Sequence, residues 1–217
     1  MPHGRILITS IQGGVSISPE VRERLTIYAD LLVKWQKRIN LIGTSTVSDL
    51  WRRHFADSLQ LAPLAGEWSN WVDLGSGGGF PGMVVAIGAG GGDRVLHLIE
   101  ADKRKAAFLR EVSRETLART VVHVGRIEQV LPELSAQVHF DVVSARALAP
   151  LDILLTYARP VLEKGAVGLF LKGKGLAKEL TAVLVDGSVN FTFSQSLTDV
   201  EAQIVVVRRC DSQTTPV

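Results

Sequence analysis

The spacing of apolar residues changes once along the chain, near Trp68. Before it, Leu25, Tyr28, Leu31, Leu32, Trp35 and Ile39 recur at helical intervals behind Ser18-Pro19-Glu20. That triplet supplies an N-cap, a proline at the first helical position and an acid in the first turn. The pattern predicts a helix ending near Ile42-Gly43. A second helix is expected to begin over Thr44–Val47, to carry Leu50, Trp51, His54, Phe55 and Leu59, and to stop before Pro63. Residues 1–15 read as a loose arm and residues 211–217 as a frayed tail. The expected organisation is a helical cap over 1–65, a main domain over 66–210 and a flexible tail over 211–217.

Beyond Trp68 short apolar runs alternate with helical ones. Trp71–Leu74, Val95–Ile99, Val121–Val124, Asp141–Val143, Val167–Leu171 and Ile204–Val207 read as strands. Pro81–Ala89, Lys103–Leu117, Ile127–Leu131, Leu151–Leu162 and Leu176–Val185 read as helices. Such alternation predicts an α/β fold, with a mostly parallel sheet covered on both faces. Phe191–Ser194 and Ile204–Val207 are expected to form an antiparallel hairpin at the sheet edge.

Composition narrows the picture. A chain of 217 residues, 46% apolar, is long enough for one full core and too apolar for a disordered protein. No apolar run reaches the ~18 residues of a membrane span, and the N-terminus lacks a secretory pattern. The single cysteine, Cys210, excludes an intramolecular disulfide framework and a multi-cysteine zinc site. A reducing cytoplasm, no metal centre, no membrane and a monomeric state are expected. The net charge of +2 does not by itself point to nucleic acid. Lys34, Lys37, Arg38, Arg52 and Arg53 nevertheless cluster around a single acid, Asp49. That face either is simply solvated or meets phosphate.

The strongest local signal is Val72-Asp73-Leu74-Gly75-Ser76-Gly77-Gly78-Gly79-Phe80-Pro81-Gly82, between a strand pattern and a helix pattern. Five of the eight residues from Gly75 to Gly82 are glycine, which lets a ligand approach the backbone. A dinucleotide site would need G-x-G-x-x-G and a pyrophosphate. Here the spacing is G-x-G-x-G, and the Asp73 carboxylate would repel a pyrophosphate. The same acid suits a cationic ligand such as S-adenosylmethionine, with its sulfonium and ammonium groups. Glu100 ends the next strand, where a carboxylate can accept both ribose hydroxyls. Ile127 and Glu128 follow the third strand and suit the face and amino edge of an adenine. Arg146 stands at the fourth strand tip, a place seldom charged for packing alone. Lys172 and Lys174 follow the fifth and either line a substrate mouth or are solvated.

The same positions restrict the target of a methyl transfer. Exocyclic amines need carbonyl acceptors from an Asn/Asp-Pro-Pro-aromatic loop, and this chain has Ser144-Ala145-Arg146-Ala147. Pyrimidine carbon-5 needs a cysteine thiolate, and Cys210 follows the last strand. Ribose methylation needs a base or a Lys-Asp-Lys-Glu set, and no Asp stands at the fourth tip. Guanine N7 already has an in-plane lone pair, so positioning supplies most of the gain. Arg146 can donate to guanine O6 or to phosphate.

WQKRINLI (35–42), HFADSL (54–59), VDLGSGGGFPG, Gly125-Arg126-Ile127-Glu128 and Ser144-Arg146 in SARA together resemble one family. It is the bacterial small-subunit rRNA guanine-N7 methyltransferase G family, also called glucose-inhibited division protein B, and the likeness spans roughly residues 20–209. The resemblance implies a class I S-adenosylmethionine-dependent methyltransferase fold, Rossmann-like with a mostly parallel seven-stranded sheet and an N-terminal helical extension. It implies methyl transfer to N7 of a guanosine in the 530-loop region of 16S rRNA, within the small ribosomal subunit. It also implies cofactor contacts at Gly75, Phe80, Ile127, Glu128 and Arg146. With Asp73, Gly77 and Glu100 from the loop argument, these are the cofactor candidates. Arg146 is the catalytic candidate, and Arg146, Lys172, Asn40 and His54 are the substrate-side candidates. Asp57 and Ser58 match family positions near the site. His54 is either a satisfied core histidine or a catalytic group, and Trp35 and Trp51 are either core or base-stacking platforms. The alternative reading is a methyltransferase of the same fold acting on a small molecule or protein. A nucleotide-binding regulator without chemistry is a third.

Overall fold

The computed structural model describes residues 9–10, 14–183 and 189–210. Most of the expected arm, the last residues of the helix expected to reach Val185 and the expected tail lie outside that range. Short strands β1 (Thr9–Ser10) and β2 (Ser16–Ile17) pair antiparallel. Helix α1 (Pro19–Gln36) follows, with the Ser18 side chain accepting from the Val21 N–H at 3.2 Å. It buries Val21, Leu25, Tyr28 and Leu32.

α1 stops at Gln36, earlier than its periodicity predicts, because the Gln36 side chain takes over the next backbone groups. Its Oε1 accepts from the N–H groups of Leu41 and Ile42 at 2.9 and 3.1 Å, and its Nε2 donates to the Ile42 carbonyl at 2.8 Å. The segment expected to be one further helix is a series of turns: a 3-10 turn over Thr44–Asp49, a π-helical turn over Trp51–Ala56, α2 (Asp57–Leu59) and α3 (Ala62–Ala65). Pro63 sits inside the first turn of α3, where its missing N–H costs nothing.

The main sheet contains β3 (Asn70–Leu74), β4 (Val95–Glu100), β5 (Thr120–Val124), β6 (Val142–Arg146), β7 (Val167–Lys172), β8 (Val189–Gln195) and β9 (Gln203–Arg209). Its order is β5-β4-β3-β6-β7-β9-β8. The first five strands are mutually parallel, and β9 pairs antiparallel with both β7 and β8. The expected hairpin exists, but β9 lies inside the sheet and only β8 forms the edge.

Helices α4 (Gly82–Gly88), α5 (Lys103–Thr116), α6 (Ile127–Gln137), α7 (Leu151–Leu162) and α8 (Leu176–Ala182) connect the strands. α6 runs past its expected end through Pro132, which forgoes one helical hydrogen bond while Ile127, Leu131 and Ser135 stay buried. Successive residues of β3 face opposite cores: Trp71 packs with α1, α4, α5 and the cap turns, Val72 with α6, α7 and α8. The cap therefore shares its core with the sheet. Among the described residues no helix is long and apolar enough to cross a membrane.

Candidate active site

Strand order reverses around β3, between β4 and β6, and open parallel sheets place ligands at such a reversal, beyond the carboxyl ends of the strands. A cleft of about 500 Å³ lies there. Gly75, Gly77, Phe80, Glu100, Ile127, Glu128, Arg146 and His54 all line it, from segments up to 92 residues apart.

Gly75 and Gly77 have φ of +61° and +56°, values that favour glycine. The Gly77 N–H donates to Glu100 Oε2 at 2.7 Å, and the Asp102 N–H donates to Glu100 Oε1 at 2.8 Å. A carboxylate thus occupies the position where a dinucleotide loop would present an N–H to pyrophosphate. Glu100 keeps spare lone pairs for hydroxyl donors. Burial raises the Asp73 pKa to about 6 against the opposing bond from Ser144. Asp73 is fully buried beneath the loop and is not on the cleft wall. Its Oδ1 accepts from Ser144 at 2.7 Å, and its Oδ2 has no partner among the described residues. Gly82 allows this approach, since a Cβ there would come within 2.7 Å of the Asp73 Cβ. Asp73 therefore lies behind the loop, held by Ser144 of β6. Glu128 is held below its ordinary pKa by its own backbone N–H first, and by the Tyr157 hydroxyl second.

Arg146 ends β6, with its guanidinium 4.9 Å over the Phe80 ring. Nη1 donates to the Arg53 carbonyl at 3.0 Å and to Asp57 Oδ2 at 3.2 Å, and Nη2 bonds His54 Nδ1 at 2.5 Å. A guanidinium only donates, so His54 Nδ1 accepts and Nε2 carries the ring proton. Nε2 then donates to Thr46 Oγ1 at 2.8 Å, and that hydroxyl donates to the Gly43 carbonyl at 2.7 Å. Burial, then the charges of Arg146 and Arg53, lowers the His54 pKa to about 3. The imidazole is neutral, with both nitrogens engaged.

Lys172 is not on this cleft. It lines a neighbouring cavity, where its ammonium pairs with Glu179 at 2.6 Å. Asn40 is exposed, lines neither cavity and accepts from Gln36 Nε2 at 3.4 Å. Trp35 and Trp51 pack against the core, Trp35 donating to Glu111 at 3.0 Å and Trp51 meeting Phe55 edge-on at 5.0 Å. The sequence reading missed Leu41, Ile42 and Gly43, which the cap contributes to the cleft wall, and Tyr28, Gln36 and Thr46, which hold that wall and the loop. The WQKRINLI string contained Leu41, Ile42 and Gln36, with Gly43 just after it, but nothing in it announced their role.

The sheet order, the glycine loop and the acid at the β4 tip define a class I S-adenosylmethionine-dependent methyltransferase. An O-methyltransferase from Bacillus cereus in complex with SAH shares the fold at 14% identity, with a TM-score of 0.58 over 88% of this chain and 90% of that one. An O-methyltransferase from Streptomyces achromogenes in complex with SAM does so at 17% identity, with a TM-score of 0.61 over 87% of this chain and 90% of that one. The rRNA small subunit methyltransferase G family matches residues 21–205, and the chain belongs to that family. A ribosomal RNA small subunit methyltransferase G from Paramagnetospirillum magneticum is 54% identical over 184 residues, 84% of this chain and 86% of that protein. One from Parvibaculum lavamentivorans is 47% identical over 195 residues, 89% of this chain and 85% of that protein.

Proposed function

We propose that the protein transfers a methyl group from S-adenosylmethionine to N7 of a guanosine in the 530-loop region of 16S rRNA. The observation that carries this is the locked state of the site at the β6 tip, within a chain of this family. His54 has both nitrogens engaged, and the Asp57 carboxylate accepts from Arg146, Gln60 and Thr198. Neither is free to remove a proton. Guanine N7 has no proton to remove: its lone pair forms the new C–N bond as the C–S bond breaks, and the electron pair leaves on sulfur.

S-adenosylmethionine supplies the sulfonium-bound methyl. The donors and acceptors of the cleft suit it: Glu100 would accept from its ribose hydroxyls, Ile127 and Leu148 would pack on its adenine, and Glu128 would accept from the adenine amino group. Gly75, Gly77 and Phe80 would shape the wall around the methionine part. Arg146 has three bonds to protein groups and five N–H donors in all, so it can also orient the guanine by its O6. Its task is alignment for an in-line displacement, from which most of the acceleration would come. The test is transfer of labelled methyl from S-adenosylmethionine to unmethylated small subunits, followed by nucleoside digestion. Label in 7-methylguanosine is expected; label in a ribose, in another base or in protein would overturn the reading.

A further inference from the structure

Arg146, His54 and Ala147 line two neighbouring spaces at once. One is the cleft; the other is a cavity of about 440 Å³ bounded by the cap, the β7 tip, α8 and the turn between β8 and β9. The two spaces therefore meet at the β6 strand tip, where the methyl must pass. The volume of the second is that of a small-ligand site, with a few charged groups among its lining residues.

Three carboxylates line this cavity: Asp57, Glu179 and Asp199. Both Asp57 oxygens are occupied, Oδ1 by Thr198 at 2.7 Å and Oδ2 by Arg146 at 3.2 Å. Both Asp199 oxygens are occupied as well, Oδ1 by the Glu201 N–H at 3.0 Å and Oδ2 by Arg53 at 3.3 Å. Glu179 differs. Its Oε2 takes the Leu151 N–H at 2.8 Å and the Lys172 ammonium at 2.6 Å, while its Oε1 has no partner among the described residues. Lys172 is itself fixed by the Ala149 carbonyl at 2.9 Å, with its side chain only 9% exposed. The result is a rigidly anchored carboxylate with one open acceptor, in a cavity that adjoins the cleft.

Guanine and adenine differ on the edge opposite N7. Guanine presents N1–H and a 2-amino group there, two donors side by side. Adenine presents an acceptor at N1, which a carboxylate oxygen repels. We propose that this cavity seats the extruded target guanine, and that Glu179 Oε1 accepts from its N1–H and 2-amino group. Glu179 is then the residue that selects guanine, with Lys172 as its positioning partner. With that edge held at Glu179, N7 faces the β6 tip that the two spaces share. The inference rests on the function proposed above and adds to it the source of base specificity.

The test is nucleotide binding to the full chain saturated with S-adenosylhomocysteine, measured by saturation-transfer NMR with GMP, IMP and AMP. IMP keeps N1–H, O6 and N7 but lacks the 2-amino group. GMP is expected to bind on the order of tenfold more tightly than IMP, and AMP more weakly than both. This series needs no variant. In Glu179→Gln, which keeps the side-chain volume and an acceptor for Leu151, GMP affinity should fall to the level of IMP or below. Affinity for S-adenosylmethionine, measured by calorimetry, should be unchanged. AMP binding as well as GMP in the wild type, absence of binding by all three included, overturns the proposal. So does unaltered GMP affinity in a folded Glu179→Gln. Failure of the chain to bind S-adenosylmethionine at all would instead sink the underlying function.

Discussion

The hydroxyl of Tyr28, in the middle of α1, donates to the carbonyl of Gly78 in the glycine loop. Its ring stacks on Phe80 at 5.5 Å and packs against Phe55 at 5.4 Å. A Cβ on the adjacent Gly79 would collide with that hydroxyl. The N-terminal helix therefore holds the loop from behind, and Gln36 and Thr46 hold the Leu41–Gly43 wall across the cleft. The cap is part of the cleft and not an appendage to it.

Tyr28→Phe should consequently weaken S-adenosylmethionine binding without unfolding the protein. The variant keeps the ring packing and leaves a buried carbonyl unpaired, a loss of about 1–3 kcal/mol. A severalfold rise in Kd by calorimetry is expected, with a modest fall in Tm. Unchanged affinity would separate α1 from the loop.

Arg146→Lys should fail where a charge alone would suffice. The guanidinium reaches Asp57, the Arg53 carbonyl and His54 at once, and also lies on Phe80. An ammonium on a flexible stem cannot reproduce that fork. Methyl transfer should drop on the order of a hundredfold, while S-adenosylmethionine affinity changes far less. Near-normal turnover would show that only the positive charge matters.

The rate of the chemical step should be flat between pH 7 and 9. His54, with a pKa lowered to about 3, stays neutral throughout, and Asp73, raised to about 6 by burial, stays ionised. Guanine N7 loses no proton. A single-turnover rate that climbs with pH across this range would indicate base-assisted transfer to another atom and would favour a different acceptor.

The strand tips were legible in the sequence, because apolar runs that end in a charge or a glycine mark where a buried parallel strand reaches the surface. Glu100, Ile127 and Arg146 stand where that logic expected them. The cap was less legible. α1 shows helical periodicity up to Ile39, but the Gln36 side chain competes for the backbone groups of Leu41 and Ile42 and ends the helix. Tyr28 read as a core aromatic, which it is; the partner of its hydroxyl is 50 residues away and no local pattern encodes it. Asp73 carried a charge that suggested ligand contact, but its strand position buries it under the loop. Lys172 looked like a free cation at a strand tip until α8 brought Glu179 against it.

Acid should destabilise the fold through a histidine pair remote from the cleft. His97 and His123 stack with ring planes 5° apart and share an N···N contact of 3.0 Å. Burial first, then the neighbouring His123, lowers the His97 pKa to about 4. Its folded pKa lies below the unfolded value of about 6.5, so the fold favours the neutral ring. That contribution is present above about pH 6.5 and is lost as pH falls toward 4, on the order of 3 kcal/mol in all. Tm should decline over that window, and His97→Leu should flatten the decline. A variant with the wild-type profile would remove His97 as its cause.

The most direct measurement is mass spectrometry of nuclease-digested 16S rRNA from cells that have or lack this chain, with the fragment spanning the 530 loop resolved. One guanosine there should carry a methyl group at N7 only when the chain is present. Wild type should restore it and Arg146→Ala should not. An identical methylation pattern with and without the chain would contradict the account.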